Sequence, residues 1–384
     1  MLIGWYIISL LLTLFYCFFI GRNIIAWAKT KPWQIKNRKP VLGVSIVLAV
    51  RNEAIHIKKC LESLQNQDYP KALFEIIIVD DYSKDNTVEI IKSTKAANTI
   101  LLHLKDILTG EETMRNYKKK ALAMGVANAK HDIIMTTDGD CKAGRKWLRT
   151  MADYYSNNNC LLVAGPLIYQ KSNAIFENSQ ALEILGLAGI TAGQFFLKEP
   201  IMCNGANLLF DKKIFLEAQN TSNYKAYASG DDAFLLQYVR KKFPCKTGFV
   251  KSINATVTTF AEKTLSGFLQ QRLRWSSKTK SINKGAGTML MYAVFCFEVS
   301  LLMNCIFGVL FSNYLLLVGA IMFLTKSIFD FVLLYKTSRF FKQIKLLWLF
   351  LFSQIFQLVY ISLFGLFIFK RGYIWKQRQV KESS

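Results

Sequence analysis

The stretch Asp132-Ile133-Ile134-Met135-Thr136-Thr137-Asp138-Gly139-Asp140 decides the reading of this chain. Its apolar run reads as a buried strand that stops where two carboxylates begin. Two Asp one residue apart at the carboxyl end of a strand form a compact patch of hard oxygen ligands. Mg2+ or Mn2+ takes such a patch and completes its shell with water and phosphate oxygens. Taken alone, Asp-Gly is also ordinary turn chemistry. It is not part of an EF-hand, whose further acidic ligands and closing Glu are missing.

The same pattern recurs upstream. Val44–Val50 reads as a continuous buried strand ended by Arg51-Asn52-Glu53, and Phe74–Val79 as a second strand ended by Asp80-Asp81. Thr99–Leu104 is a third strand and Asp132–Thr137 a fourth. Between them, Ile57, Cys60, Leu61 and Leu64 recur at helical spacing, and Thr87–Ala97 and Ala121–Ala129 also read as helices. Strand–helix alternation predicts an α/β fold with a parallel sheet covered on both faces. Ligands of such sheets bind at the carboxyl ends of the strands. The polar residues gather there: Asn52 and Glu53, Asp80 and Asp81, Asp138 and Asp140. The chain has no Gly-rich phosphate cradle of the G-x-G-x-x-G or Walker A type, so phosphates need cations, from a metal or from Lys118-Lys119-Lys120. Three adjacent Lys also read as a solvated loop.

Further along, Asp231 and Asp232 follow Ser229-Gly230 and precede the helical pattern Ala233–Arg240. Two carboxylates there suit a helix start, as a cap or with the dipole, and either can also serve as a base. Gln270-Gln271-Arg272-Leu273-Arg274-Trp275, followed by Lys278, Lys280 and Lys284, reads as a basic amphipathic helix on a membrane surface. It also offers an indole for stacking on a sugar or nucleotide and a guanidinium for clamping phosphate.

Four apolar runs are long enough to span a bilayer: residues 1–20, Met289–Phe311, Tyr314–Tyr335 and Leu346–Phe369. The first lacks a basic start and a small-residue cleavage site, so it reads as an anchor and not as a removable signal. Arg22, Lys29, Lys31, Lys36, Arg38 and Lys39 follow it without an acid, which marks that side as cytoplasmic. The loop with Lys336, Arg339, Lys342 and Lys345 should be cytoplasmic as well. A further full crossing then puts Lys370, Arg371, Lys376 and Arg378 outside, against the same rule, unless one run is re-entrant. Glu298, Lys326 and Asp330 fall inside apolar runs, and Lys326 and Asp330 lie four apart, on one helical face.

The chain has 384 residues, of which 52% are hydrophobic, and a formal net charge of +23. The middle segment is long enough for one large domain with its own core. The excess positive charge flanks apolar runs, so membrane lipids are the natural partner and nucleic acid is not. The eight Cys show no C-x-x-C spacing and read as free thiols, and the three His form no ligand cluster.

Four motifs occur in order: Val79-Asp80-Asp81-Tyr82-Ser83-Lys84-Asp85-Asn86-Thr87, Asp138-Gly139-Asp140, Gly230-Asp231-Asp232, and Gln271-Arg272-Leu273-Arg274-Trp275, which fits Q-x-x-R-W. Together they resemble the membrane-bound family 2 glycosyltransferases of GT-A fold, the group of the cellulose, hyaluronan and poly-N-acetylglucosamine synthases. The resemblance covers roughly Val44 to Trp275 and the helices around it. It implies a Rossmann-like, mostly parallel sheet between transmembrane helices. It implies a metal-dependent inverting transfer of sugar from a nucleotide-sugar, UDP-linked, to a carbohydrate or lipid-linked acceptor. The setting is the cytoplasmic face of a cell membrane, in the synthesis of surface polysaccharide or glycolipid.

The resemblance also implies roles. Asp80 or Asp81 contacts the base of the nucleotide. Asp138 and Asp140 hold Mg2+ or Mn2+, and Asp232 is the general base. Gln271, Arg274 and Trp275 bind donor pyrophosphate and acceptor. Asn207 lies in the donor-facing loop Asn204-Gly205-Ala206-Asn207. Glu53, Lys119 and Asp231 complete the donor and acceptor set. Relatives often carry Glu-Asp where this chain has Asp231-Asp232, so either Asp can be the base. The implied organisation is an anchor (1–21), a basic linker (22–40), a catalytic domain (41–262), an interfacial segment (263–288), membrane helices (289–370) and a basic tail (371–384). A homo-oligomer or an export partner fits the small number of membrane helices. A non-catalytic nucleotide-sugar sensor or scaffold is the competing class, and the acidic set, Asp232 above all, argues against it.

Overall fold

The computed structural model describes residues 2–36, 39–106, 117–221, 230–282, 286–367, 373–376 and 378–380. Arg38, Ser229, Lys284, Lys370 and Arg371 lie outside the described residues, as do the side chains of Lys278 and Lys280. The chain forms two compact units.

The first unit comprises Lys31–Gln170, Phe195–Phe260 and Gly372–Ser384. Its strands are β1 (Val44–Val50), β2 (Phe74–Asp80), β3 (Thr99–His103), β4 (Ile133–Thr136), β5 (Lys142–Ala143), β6 (Leu162–Ala164), β7 (Leu167–Tyr169), β8 (Leu208–Asp211), β9 (Thr247–Phe249) and β10 (Val257–Thr259). Seven of them form one sheet in the order β3-β2-β1-β4-β8-β6-β9. Every residue of β2 is buried, as expected of a strand with both faces covered. β3, β2, β1 and β4 run parallel, and the register pairs Val50 with Asp80 and Val47 with Thr136. The acidic strand ends foreseen in the sequence therefore emerge side by side at one edge. The helices Ile57–Gln65, Thr87–Thr94 and Tyr117–Ala127 connect these strands. Ile57, Cys60, Leu61 and Leu64 point into the core, as their spacing predicts.

Beyond β4 the sheet is mixed, within the mostly parallel architecture that the resemblance implies. β8 runs antiparallel to both β4 and β6. A smaller sheet, β5-β10-β7, lies in the same unit. Residues 41–262 do not all fall in the first unit. Lys171–Gln194, most of the apolar helix Ile175–Phe196, belongs to the second unit. The expected basic tail contributes a hairpin to the first unit, formed by β11 (Tyr373–Trp375) and β12 (Arg378–Val380).

The second unit comprises Met1–Thr30, Lys171–Gln194 and Ala261–Arg371. Among the described residues, four helical segments are long and apolar enough to cross a membrane: Leu2–Lys29, Tyr292–Phe311, Asn313–Phe340 and Ile344–Leu363. Tyr16, Ile20, Phe297, Leu301 and Met322 pack its core. The charges inside the apolar runs pair with one another. Lys326 Nζ lies 2.8 Å from Asp330 and 3.6 Å from Glu298, and donates to Gln354 at 2.6 Å. Tyr16 donates its hydroxyl to Asp330 at 2.7 Å.

Candidate active site

The ends of β1 and β2 are clasped together. The Arg51 guanidinium donates to the carbonyls of Asp81 at 2.7 Å and Tyr82 at 2.8 Å. Asn52 N donates to Ser83 Oγ at 3.1 Å, Lys84 N to Asn52 Oδ1 at 2.9 Å, and Glu53 N to Thr87 Oγ1 at 2.8 Å. Asn52 and Tyr82 both take left-handed backbone conformations, with φ of 49° and 53°. Non-glycine residues held there concentrate at functional sites.

The two Asp of the second strand end differ in environment. Asp80 Oδ1 accepts the Ser83 N–H at 3.2 Å, and His103 Nδ1 is 3.7 Å from its other oxygen. Asp80 thus shapes the turn. The side chain of Asp81 is fully buried, and its Oδ1 accepts from Arg378 at 2.8 Å. Burial pushes the Asp81 carboxyl up, while Arg378 pulls it back.

Glu53 lies against the Asp138-Gly139-Asp140 loop. A Cβ at Gly139 would come within 3.0 Å of Val50 and 3.1 Å of Glu53, so a glycine lets the loop close on the end of β1. Burial pushes the Glu53 carboxyl up to about 7, with Asp140 and Asp138 adding to the rise and Lys376, 2.8 Å away, opposing it. Lys118 Nζ bonds Asp138 at 2.8 Å. Lys118, Lys119 and Lys120 lie on the first turn of the helix Tyr117–Ala127, not in a solvated loop, and Lys119 is buried. Burial lowers the Lys119 ammonium, and Asp231 nearby counters it. Asp138 and Asp140 are half-exposed hard oxygen donors at one strand end, the chemistry that suits a divalent cation completed by water and phosphate oxygens, although among the described residues no group of three or more His, Cys, Asp or Glu side chains is placed to hold one.

Gly230, with φ of 109°, is the N-cap of the helix Asp231–Lys242. Asp231 and Asp232 therefore occupy its first turn, where the dipole favours them, and neither is the cap residue. Asp232 Oδ2 accepts the Gly205 N–H at 3.0 Å, and Gly205 O accepts from Thr136, at the end of β4, at 2.6 Å. Asp232 is thus tied to the same strand end that carries Asp138.

The expectation for Asn207 needs correction. Its side chain is fully buried and braces the interior. Oδ1 accepts from Trp147 at 3.0 Å, and Nδ2 donates to Pro166 O at 2.7 Å and Ala255 O at 2.8 Å. The amide is committed to these three partners.

Gln271, Arg274 and Trp275 are half-buried on the helix Leu265–Ile282 of the second unit. Between them sits Arg272, which the motif leaves undefined. It bonds Glu183 at 2.6 Å and lies 4.4 and 4.3 Å from the ring centres of Phe268 and Trp275. Tyr360 donates to the same Glu183 at 2.6 Å. Sequence reasoning missed Arg51, Tyr117, Arg272, Lys376 and Arg378. The tail's signal was two basic residues beside aromatic ones, hidden by their place next to an apolar run.

Residues 45–217 match the sequence profile of the family described as glycosyl transferase family 2. Over 130 residues the chain is 32% identical to glycosyltransferase AglE of Haloferax volcanii, covering 34% of this chain and 41% of that protein. Over 296 residues it is 26% identical to a dolichyl N-acetyl-alpha-D-glucosaminyl phosphate 3-beta-D-2,3-diacetamido-2,3-dideoxy-beta-D-glucuronosyltransferase of Methanococcus voltae, covering 74% and 88%. The fold resembles that of a mannosyltransferase from Pyrobaculum calidifontis, solved with GDP-Man and Mn2+, with a TM-score of 0.50, 14% identity and coverage of 93% and 99%. Residues 45–217 thus carry a domain that matches glycosyl transferase family 2, on a fold of the GT-A kind.

Proposed function

We propose that the chain is a metal-dependent inverting glycosyltransferase. It moves a sugar from a nucleotide-sugar, UDP-linked, to a lipid-linked or carbohydrate acceptor at the cytoplasmic face, in the synthesis of surface polysaccharide or glycolipid. The observation that carries this reading is the alignment of acidic strand ends. Glu53 follows β1, Asp81 follows β2, Asp138 and Asp140 follow β4, and Asp232 is bonded to the loop at the end of β4. The Methanococcus voltae relative, by its name, acts on a dolichyl-phosphate-linked sugar, which favours the lipid-linked acceptor.

In this reading Asp81 accepts an N–H from the nucleobase, while Asp80 holds the turn. Asp138 and Asp140 hold Mg2+ or Mn2+, an ion of the class bound by the Pyrobaculum calidifontis neighbour. When bound, the cation neutralises charge on the diphosphate leaving group. Asp232, oriented by two backbone N–H groups, takes the proton of the acceptor hydroxyl. Arg274 offers positive charge to the pyrophosphate, Gln271 a hydrogen-bonding amide, and Trp275 an indole face to the acceptor sugar. One base and no carboxylate nucleophile give a single displacement, which inverts the anomeric centre.

The test is nucleotide release from a panel of nucleotide-sugars, with and without divalent metal, in the presence of polyprenyl-phosphate sugars. Release that requires one donor, one acceptor and the metal supports the reading. Tight donor binding without release under any condition would favour the sensor or scaffold.

A further inference from the structure

The hairpin β11–β12 places two basic side chains on two acids of the first unit. Lys376 Nζ bonds Glu53 at 2.8 Å, and Arg378 Nη1 bonds Asp81 at 2.8 Å. The Arg378 guanidinium lies 3.7 Å from the ring centre of Tyr117 and 5.8 Å from that of Tyr82. The backbone reinforces the contact, with Arg51 Nε donating to Lys376 O at 3.3 Å and Lys376 Nζ to Asn52 O at 3.4 Å.

We propose that the C-terminal hairpin is an autoinhibitory latch, in which Arg378 occupies the place of the donor's nucleobase. The inference rests on the reading of Asp81 as the base contact and deepens it. A guanidinium is a flat π-system with N–H donors in its plane. A nucleobase is the same kind of object. Each asks for an aromatic face and an acceptor at its edge, and Tyr117 and Asp81 supply both to Arg378. The Asp81 side chain is 0% exposed with the hairpin in place. Its second oxygen has no hydrogen-bond partner among the described residues, yet solvent cannot reach it. A base reaches Asp81 only after Arg378 has left. Lys376 strengthens the closed state through Glu53, which lies against the Asp138-Gly139-Asp140 loop. Closed, the latch excludes the nucleotide; open, it frees the Tyr117 face and the Asp81 carboxylate together.

The test uses the full chain in lipid nanodiscs. Calorimetry measures UDP and GDP, each with Mn2+, against wild type, R378A, K376A and D81N. The latch predicts that R378A tightens the nucleotide that binds by about tenfold or more, with a smaller gain for K376A. Weaker or unchanged binding in R378A overturns it, because Arg378 would then be a donor contact or irrelevant. D81N in the R378A background separates the two levels of the argument. Loss of nucleotide affinity there supports Asp81 as the base contact, and unchanged affinity overturns that reading and the latch with it. Carbodiimide coupling of Lys376 to Glu53, mapped by mass spectrometry, needs no substitution. The crosslink should form in the free protein and disappear at saturating nucleotide. Its absence from the free protein, or its persistence at saturation, overturns the latch.

Discussion

The Asp232 carboxylate accepts the backbone N–H of Gly205 at 3.0 Å and that of Ala233 at 2.9 Å. Two fixed donors hold its oxygens at the head of a helix, while Asp231 beside it faces the field of Lys119. The two carboxylates should fail differently. Asp232→Asn should lower kcat by about 10²–10⁴-fold, the range for loss of a general base, with donor affinity nearly unchanged. Asp231→Asn should be milder, since it removes one charge from a helix start that Gly230 already caps. Donor calorimetry beside turnover checks both. Normal turnover by Asp232→Asn with a dead Asp231→Asn would move the base by one residue.

Asp138→Asn and Asp140→Asn should each remove most turnover and leave the unfolding midpoint close to wild type. Both side chains lie beyond the end of β4, outside the apolar core. Chelator should abolish activity of the wild type, and Mn2+ or Mg2+ should restore it. Full turnover in excess chelator would remove the ion from the mechanism.

Asn207 makes the opposite prediction. Its amide satisfies Trp147, Pro166 and Ala255 in the interior. Asn207→Ala should strand these groups and destabilise the protein by about 2–4 kcal/mol, because unsatisfied buried groups cost roughly 1–3 kcal/mol each. Thermal unfolding measures it. A variant of normal stability that has lost donor affinity would return Asn207 to the donor site.

Arg272 and Arg274 sit two apart in Q-x-x-R-W and should do different work. Arg272 is 6% exposed and ion-paired to Glu183 at 2.6 Å. Arg272→Ala leaves that carboxylate without its cation, a change that typically costs about 3–5 kcal/mol. It should appear as lost expression and a lowered unfolding midpoint. Arg274→Ala should leave stability intact and weaken donor use. Equal stability of the two variants would refute the division.

The first half of the sheet was legible because its strands are long and buried on both faces. Val44–Val50 is found at its expected limits, and β2 runs one residue beyond expectation, to Asp80. The second half was not, because β6, β8 and β9 hold three or four residues each, too few to show a period. The acidic strand ends were legible for the same reason as the strands they terminate. Asn207 misled because its neighbours Asn204 and Gly205 belong to a loop, while its own amide turns inward. The hairpin's contact with Glu53 and Asp81 spans some three hundred residues, and no local pattern carries that information.

That contact also bears on the sidedness of the tail. Lys376 and Arg378 bond residues of the catalytic sheet, so the tail and the sheet share one side of any bilayer. The chain between Phe260 and Tyr373 must then make an even number of full crossings, yet it holds three candidate spans. The segment Ile344–Leu363 is the one that should turn back. It opens with the six-residue 3-10 helix Ile344–Leu349, and the α-helix that follows, Phe350–Phe367, has 18 residues. Turning back also keeps Lys336, Arg339, Lys342 and Lys345 on the same side as the tail, as their shared positive charge predicts. Single cysteines in a cysteine-replaced background test this. In intact cells an impermeant maleimide should label Ser312→Cys, and should reach Asn220→Cys, Lys342→Cys and a cysteine appended after Ser384 only after permeabilisation. Labelling of the appended cysteine from outside, with Asn220→Cys still shielded, would mean three full crossings and would separate the hairpin from Asp81 in the membrane.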